Sequence, residues 1–147
     1  MTLQDQLNDD LKTAMRSQDT LTKDTIRLMR AAIKNAEIEK RNELSEEAVI
    51  EVLSKMAKQY RDSITTYTDN GREDLAKKEK DELEVLIRYL PAQLSESELK
   101  DLISKAIAQM GATGMQDRGK VMALVMPQVK GRADGSVINS IVGELLS

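Results

Sequence analysis

Residues 45–71 read SEEAVIEVLSKMAKQYRDSITTYTDNG, and this stretch decides the fold. Its apolar side chains, Val49, Val52, Leu53, Met56, Tyr60, Ile64 and Tyr67, recur every three or four positions. That is the period of a helix with one buried face, not the alternation of a half-buried strand. Ser45 offers a side-chain oxygen to the free N–H groups at the start of the helix. Asn70-Gly71 offers a left-handed stop at its end. Such a helix of about 22 residues is roughly 33 Å long.

The same period spreads outward on both sides. Thr2 with Asp5 has the form of a capping box, followed by Leu3, Leu7, Leu11 and Met15 on one face. A second segment opens at Leu21, lines up Ile26, Met29, Ile33 and Ala36, and fades near Arg41-Asn42. Only a few residues around Glu43-Leu44-Ser45 join it to the third, so the two form a long antiparallel hairpin. A fourth helix from about Arg72 to Tyr89 buries Leu75, Leu83, Leu86 and Ile87. Leu90-Pro91 ends it, because the residue before proline is pushed out of the α region. Ser95 and Glu98 then form a second capping box for a helix carrying Leu99, Leu102, Ile103, Ala106 and Ile107, closed by Gly111. A short helix around residues 116–126 and a last one with Val137, Ile138, Ile141, Val142 and Leu145 complete the chain. The expectation is an all-α protein, with a four-helix subdomain at 1–90 and a small three-helix subdomain at 91–147.

Composition narrows the chemistry. The 147 residues include no Cys and no His, so Ser-His and Cys-His nucleophile pairs, His/Cys zinc sites and disulfides are excluded. Without Trp or Phe the core must be built from Leu, Ile, Val, Ala and Met. No run reaches the ~18 apolar residues of a membrane span. The opening residues, with Asp5, Asp9 and Asp10, are too acidic for a secretory signal. A cytoplasmic location is the expectation. Residues 1–90 hold 16 basic and 19 acidic side chains, and residues 91–147 hold 6 of each. Neither half is a strongly basic nucleic-acid binder, so any RNA contact must rest on a local patch.

One such patch is visible. From Arg118 through Ala133 the chain carries Arg118, Lys120, Lys130 and Arg132 and no acid. Gly119, Gly131 and Gly135 bring backbone N–H groups near the surface, and a helical pattern begins just after Gly135. Basic side chains, glycines and a helix start together suit a phosphate. The competing reading is a tight corner between helices with solvated charges. Lys23, Arg27, Arg30 and Lys34 form a second cationic stripe, diluted by Asp19 and Glu37. Glu43, Glu46 and Glu47 gather where the macrodipole favours acids at a helix start. Asp69-Asn70-Gly71 begins like a calcium loop but lacks the later ligands. Tyr60, Tyr67, Met110, Met122 and Met126 read as core. Neither GxxxxGK[ST] nor GxGxxG occurs, so nucleotide hydrolysis has no support.

Tyr89-Leu90-Pro91-Ala92-Gln93-Leu94, with Gly119-Lys120-Val121-Met122 and Gly131-Arg132-Ala133-Asp134-Gly135, resembles the YqeY family. That family is similar to the C-terminal part of the B subunit of the tRNA-dependent amidotransferase, a carbon–nitrogen ligase with glutamine as amide donor. Arg118 stands where the resemblance implies an apolar residue. The resemblance implies a stand-alone tRNA-binding accessory module, with Gly119, Lys120, Lys130, Gly131, Arg132 and Gly135 as RNA contacts and Asp134 as a helix cap. The catalytic body, with its ATP and Mg²⁺ chemistry, has no counterpart here, so no catalytic residue, cofactor or metal is expected. The rival expectation is an adaptor docking on a tRNA-handling enzyme, or a non-catalytic partner of the ligase. Neither DNA nor a membrane is expected as a partner.

Overall fold

The computed structural model describes residues 1–147 and contains seven α-helices, one short 3₁₀ turn and no strand. They divide into two compact units, Met1–Pro91 and Ala92–Ser147.

The first unit holds α1 (Leu3–Arg16), α2 (Thr20–Lys40), α3 (Glu46–Asp69) and α4 (Glu73–Ile87). Helix starts follow the local chemistry of the chain. Thr2 and Asp5 form the full capping box, Asp19 caps α2 and Ser45 caps α3. Residues 41–45 are all that separates α2 from α3, which makes these helices the hairpin implied by the short connection. The most extensive packing of α3 is on α4, and α2 lies against α1, α3 and α4. Leu7, Ile26, Met29, Leu53 and Leu86 are fully buried at the centre. Each such side chain contributes about 1.5–3 kcal/mol through the apolar surface it removes from water.

Two tertiary contacts have no local signature. Both oxygens of Glu46 accept from the Leu3 N–H, at 2.9 and 3.2 Å, so an acid of α3 helps to cap α1. The Tyr89 hydroxyl donates to Asp10, and Tyr89 and Leu90 are both core residues of this unit. On α1 the buried row is Leu7, Leu11 and Ala14, and Met15 is exposed. Steps of four and three residues stay on one face, and one residue further the helix has turned by a quarter.

The second unit holds α5 (Glu96–Met110), a 3₁₀ turn (Met115–Asp117), α6 (Arg118–Val129) and α7 (Gly135–Leu146). Gly111 closes α5 with φ of +66°, and the Ala112 N–H bonds back to the Ile107 carbonyl at 3.1 Å. The core is Leu99, Ile103 and Ala106 of α5, Val121, Val125 and Val129 of α6, and Ile138, Ile141, Val142 and Leu146 of α7. Spacing predicts an end of α6 near 126, and the helix instead continues across Pro127 to Val129. Val121, Val125 and Val129 lie on one buried face, and burying that row outweighs the backbone donor that the exposed Pro127 lacks. Met110 and Met126, expected in the core, are 39% and 38% exposed, because these valines and isoleucines already fill it.

Candidate nucleic-acid interface

The basic run of the second unit is not one patch. Gly119 and Lys120 lie in the first turn of α6, whereas Lys130, Gly131 and Arg132 follow its last residue. Lys120 and Lys130 are ten residue steps apart, about 15 Å along the axis. The two groups therefore cannot converge on a single phosphate.

At the near end, no side chain caps α6. The Asp117 carboxylate, placed to do so, accepts instead from the Thr113 N–H at 3.0 Å. Gly119 and Lys120 are exposed, and a Cβ added at Gly119 would meet open space. This helix start thus combines a positive dipole end and an ammonium, with no side-chain cap, although the preceding 3₁₀ turn already takes the Arg118 N–H on the Met115 carbonyl. Arg118 is turned away from it. Its Nη2 donates to the Asn139 carbonyl at 3.2 Å and to the Asn139 side chain at 3.3 Å, and its guanidinium lies over Gly143 of α7.

At the far end the chain is stitched to the segment that precedes α5. The Gln93 amide donates to the Gly131 carbonyl at 2.7 Å, the Arg132 Nε donates to the Ala92 carbonyl at 3.0 Å, and the Leu94 N–H donates to the Arg132 carbonyl at 2.9 Å. Gly131 is buried with φ of +75°, a left-handed conformation that a Cβ would strain. Lys130 is exposed, and Arg132 is half-buried with its Nε committed. Gly135 is the first residue of α7. Asp134 caps that helix, accepting from the N–H and hydroxyl of Ser136, both at 2.9 Å. An anionic side chain thus occupies the helix start that the sequence suggests for phosphate. The roles of Gln93 and the Ala92 carbonyl had no signal in periodicity. The only hint was that the segments 89–94 and 131–135 both belong to one recognisable pattern.

The arrangement of two stitched segments beneath a short three-helix cluster bears comparison with known proteins. The sequence pattern described as "YqeY: Yqey-like protein" matches residues 4–146. The chain belongs to the YqeY family. This YqeY chain is 33% identical over 144 residues to the "Altered inheritance of mitochondria protein 41, mitochondrial" of Pyrenophora tritici-repentis, covering 95% of this chain and 78% of that protein. To the protein of the same name from Candida glabrata it is 40% identical over 102 residues, 68% of this chain and 56% of the relative. The Vanderwaltozyma polyspora protein is 46% identical over 85 residues, 57% of this chain and 46% of the relative. The YqeY chain thus spans about half the length of these last two relatives.

These names correct one expectation. The cytoplasmic location, read from the lack of cysteine, of a membrane-span run and of a secretory signal, is overturned, since the relatives are named as mitochondrial proteins and point to mitochondria instead. Cysteine content separates oxidising from reducing compartments only. It holds no information on which reducing compartment a chain occupies.

Proposed function

We propose that this YqeY-family chain is a stand-alone tRNA-binding accessory module that holds RNA phosphates through its C-terminal unit. The observation that carries this reading is the uncapped, basic start of α6, where Gly119 leaves open space beside Lys120. Lys130 and the guanidinium end of Arg132 supply a second contact roughly 15 Å away. A phosphate chain crossing α6 lengthwise would meet both. Contacts of this kind position the protein on RNA without reading bases, so affinity should be similar across tRNA sequences. The chain holds no cysteine nucleophile for releasing ammonia from glutamine, so amide transfer would need another subunit for its catalytic groups.

Filter binding of bulk tRNA over a range of NaCl concentrations tests the reading. Each phosphate contact adds roughly 0.7–0.9 to the magnitude of the slope of log affinity against log salt. The Lys120→Ala, Lys130→Ala double variant should therefore lose about 1.5 from the slope while keeping its helical circular dichroism. A folded double variant with the parent's affinity and slope would remove this site. Co-purification with a tRNA-handling enzyme that survives nuclease, without any tRNA binding, would favour the adaptor reading.

A further inference from the structure

Three helices of the N-terminal unit enclose an open cleft of about 350 Å³. Leu28 of α2 forms one side, Tyr60 and Tyr67 of α3 another, and Leu75, Lys78, Glu79 and Glu82 of α4 the third. On α4 these positions run i, i+3, i+4 and i+7, and the tyrosines stand seven apart, so each helix contributes one continuous stripe.

Two carboxylates one helical turn apart on α4 lie within hydrogen-bonding reach of each other here. Glu79 and Glu82 are half-buried, and neither takes part in any of the ion pairs of the protein. Burial pushes the Glu82 carboxyl above its ordinary value, and the hydrogen bond and charge of Glu79 add to it. Asp24 deepens the negative field and Lys78 opposes it. A second observation points into the same space. Tyr60, only 9% exposed, lines the cleft, and its hydroxyl lies in the field of both carboxylates. Burial, then the charges of Glu82 and Glu79, push its pKa up to about 12, so it remains a neutral hydroxyl at physiological pH.

The donor set selects the ligand. No group of three or more acids able to hold a metal ion occurs in the chain, and a hard cation needs more oxygen ligands than this cleft offers. An organic cation matches the aromatic, apolar and acidic walls, and only Lys78 opposes it. Aromatic faces attract it through their quadrupole, leucines cover an alkyl stem, and paired carboxylates accept hydrogen bonds from a planar guanidinium. We propose that this cleft binds an alkylguanidinium group, its charge against the Glu79–Glu82 pair and its stem against Tyr60, Tyr67, Leu28 and Leu75. The site is independent of the phosphate contacts on α6.

The test is a ¹H–¹⁵N NMR titration of the full chain with n-butylguanidinium chloride at constant ionic strength, beside the uncharged isostere n-butylurea. Saturable shifts at residues 60–67 and 75–82 with the cation alone are expected. The Glu79→Gln, Glu82→Gln variant should keep its helical circular dichroism and lose affinity by about tenfold or more. If that variant unfolds, Glu82→Gln alone must weaken binding severalfold. N-acetylarginine amide binding more tightly than n-butylguanidinium would assign the cleft to an arginine side chain of a partner. The reverse order would assign it to a free small cation. Unsaturable shifts, an equal response to n-butylurea, or full affinity in the glutamine variants would overturn the proposal.

Discussion

Arg132 answers two demands with one side chain. Its Nε is committed to the Ala92 carbonyl, so the fork geometry of the guanidinium is structural while its charge remains for solvent or phosphate. Lysine keeps the charge and loses the fork. Arg132→Lys should therefore lower stability by about 1 kcal/mol, read by thermal melting, and leave the salt slope of tRNA binding unchanged. A loss of slope with no loss of stability would reverse these roles. Glu82 gives a pH prediction. Its carboxyl lies above the ordinary value of 4.5 in the folded protein, so the native state holds that proton more tightly than the unfolded chain. Stability should then fall as pH rises above 4.5, and the cost is fully present once the folded group is ionised. Glu82→Gln should melt higher than the parent at pH 7, the two converging at or below about pH 4.5. A constant difference at all pH values would show that ionisation of the buried Glu82 carboxyl does not set it.

Helix ends are where local sequence and tertiary structure meet. Thr2, Ser45 and Ser95 were legible as caps because each pairs with an amide three residues on, and the structure places each in that role. The start of α6 was not legible. Asp117 sits where a cap belongs, and only the fold turns its carboxylate to Thr113. Glycines separate the two kinds of position. Gly111 has φ of +66°, so Gly111→Ala should cost about 1 kcal/mol whatever the space around it. Gly119 lies within a helix with open space around its Cα, so Gly119→Ala should be neutral or stabilising by up to ~1 kcal/mol. Paired melts of these two variants check both signs. Reduced tRNA affinity in the stable Gly119→Ala protein would further support close approach of a phosphate there.

The whole molecule carries two apolar cores, one with Leu7, Ile26, Leu53 and Leu86, the other with Leu99, Val125 and Ile141. Every member of the first lies within residues 1–91 and every member of the second within residues 92–147. A fragment of residues 1–91 should therefore fold to a helical, cooperatively melting protein, and Leu53→Ala should destabilise it by about 2–5 kcal/mol as in the full chain. A fragment with no cooperative transition would show that its core depends on the rest of the chain. The ion pairs Lys58–Asp62, Arg72–Asp74, Lys77–Asp81 and Lys100–Glu96 are all substantially exposed, so between low and high salt their contribution to the melting temperature should change little beside such a core substitution.

Periodicity, caps and breakers by themselves determined the helices, their order and most of the buried face, because those features depend on spacing of 3.6 residues and on hydrogen bonds three or four residues apart. The glycines and cations of 118–135 were legible as residues, but not as a site. Adjacency in sequence made one patch of them, and a helix of 12 residues holds them at opposite ends. Only the tertiary structure decided that Gly131 is buried, that Arg132 and Gln93 stitch 92–94 to 131–132, and that Glu79 and Glu82 share a cleft with Tyr60. Those outcomes depend on which faces pack together, and packing joins residues that no local period relates.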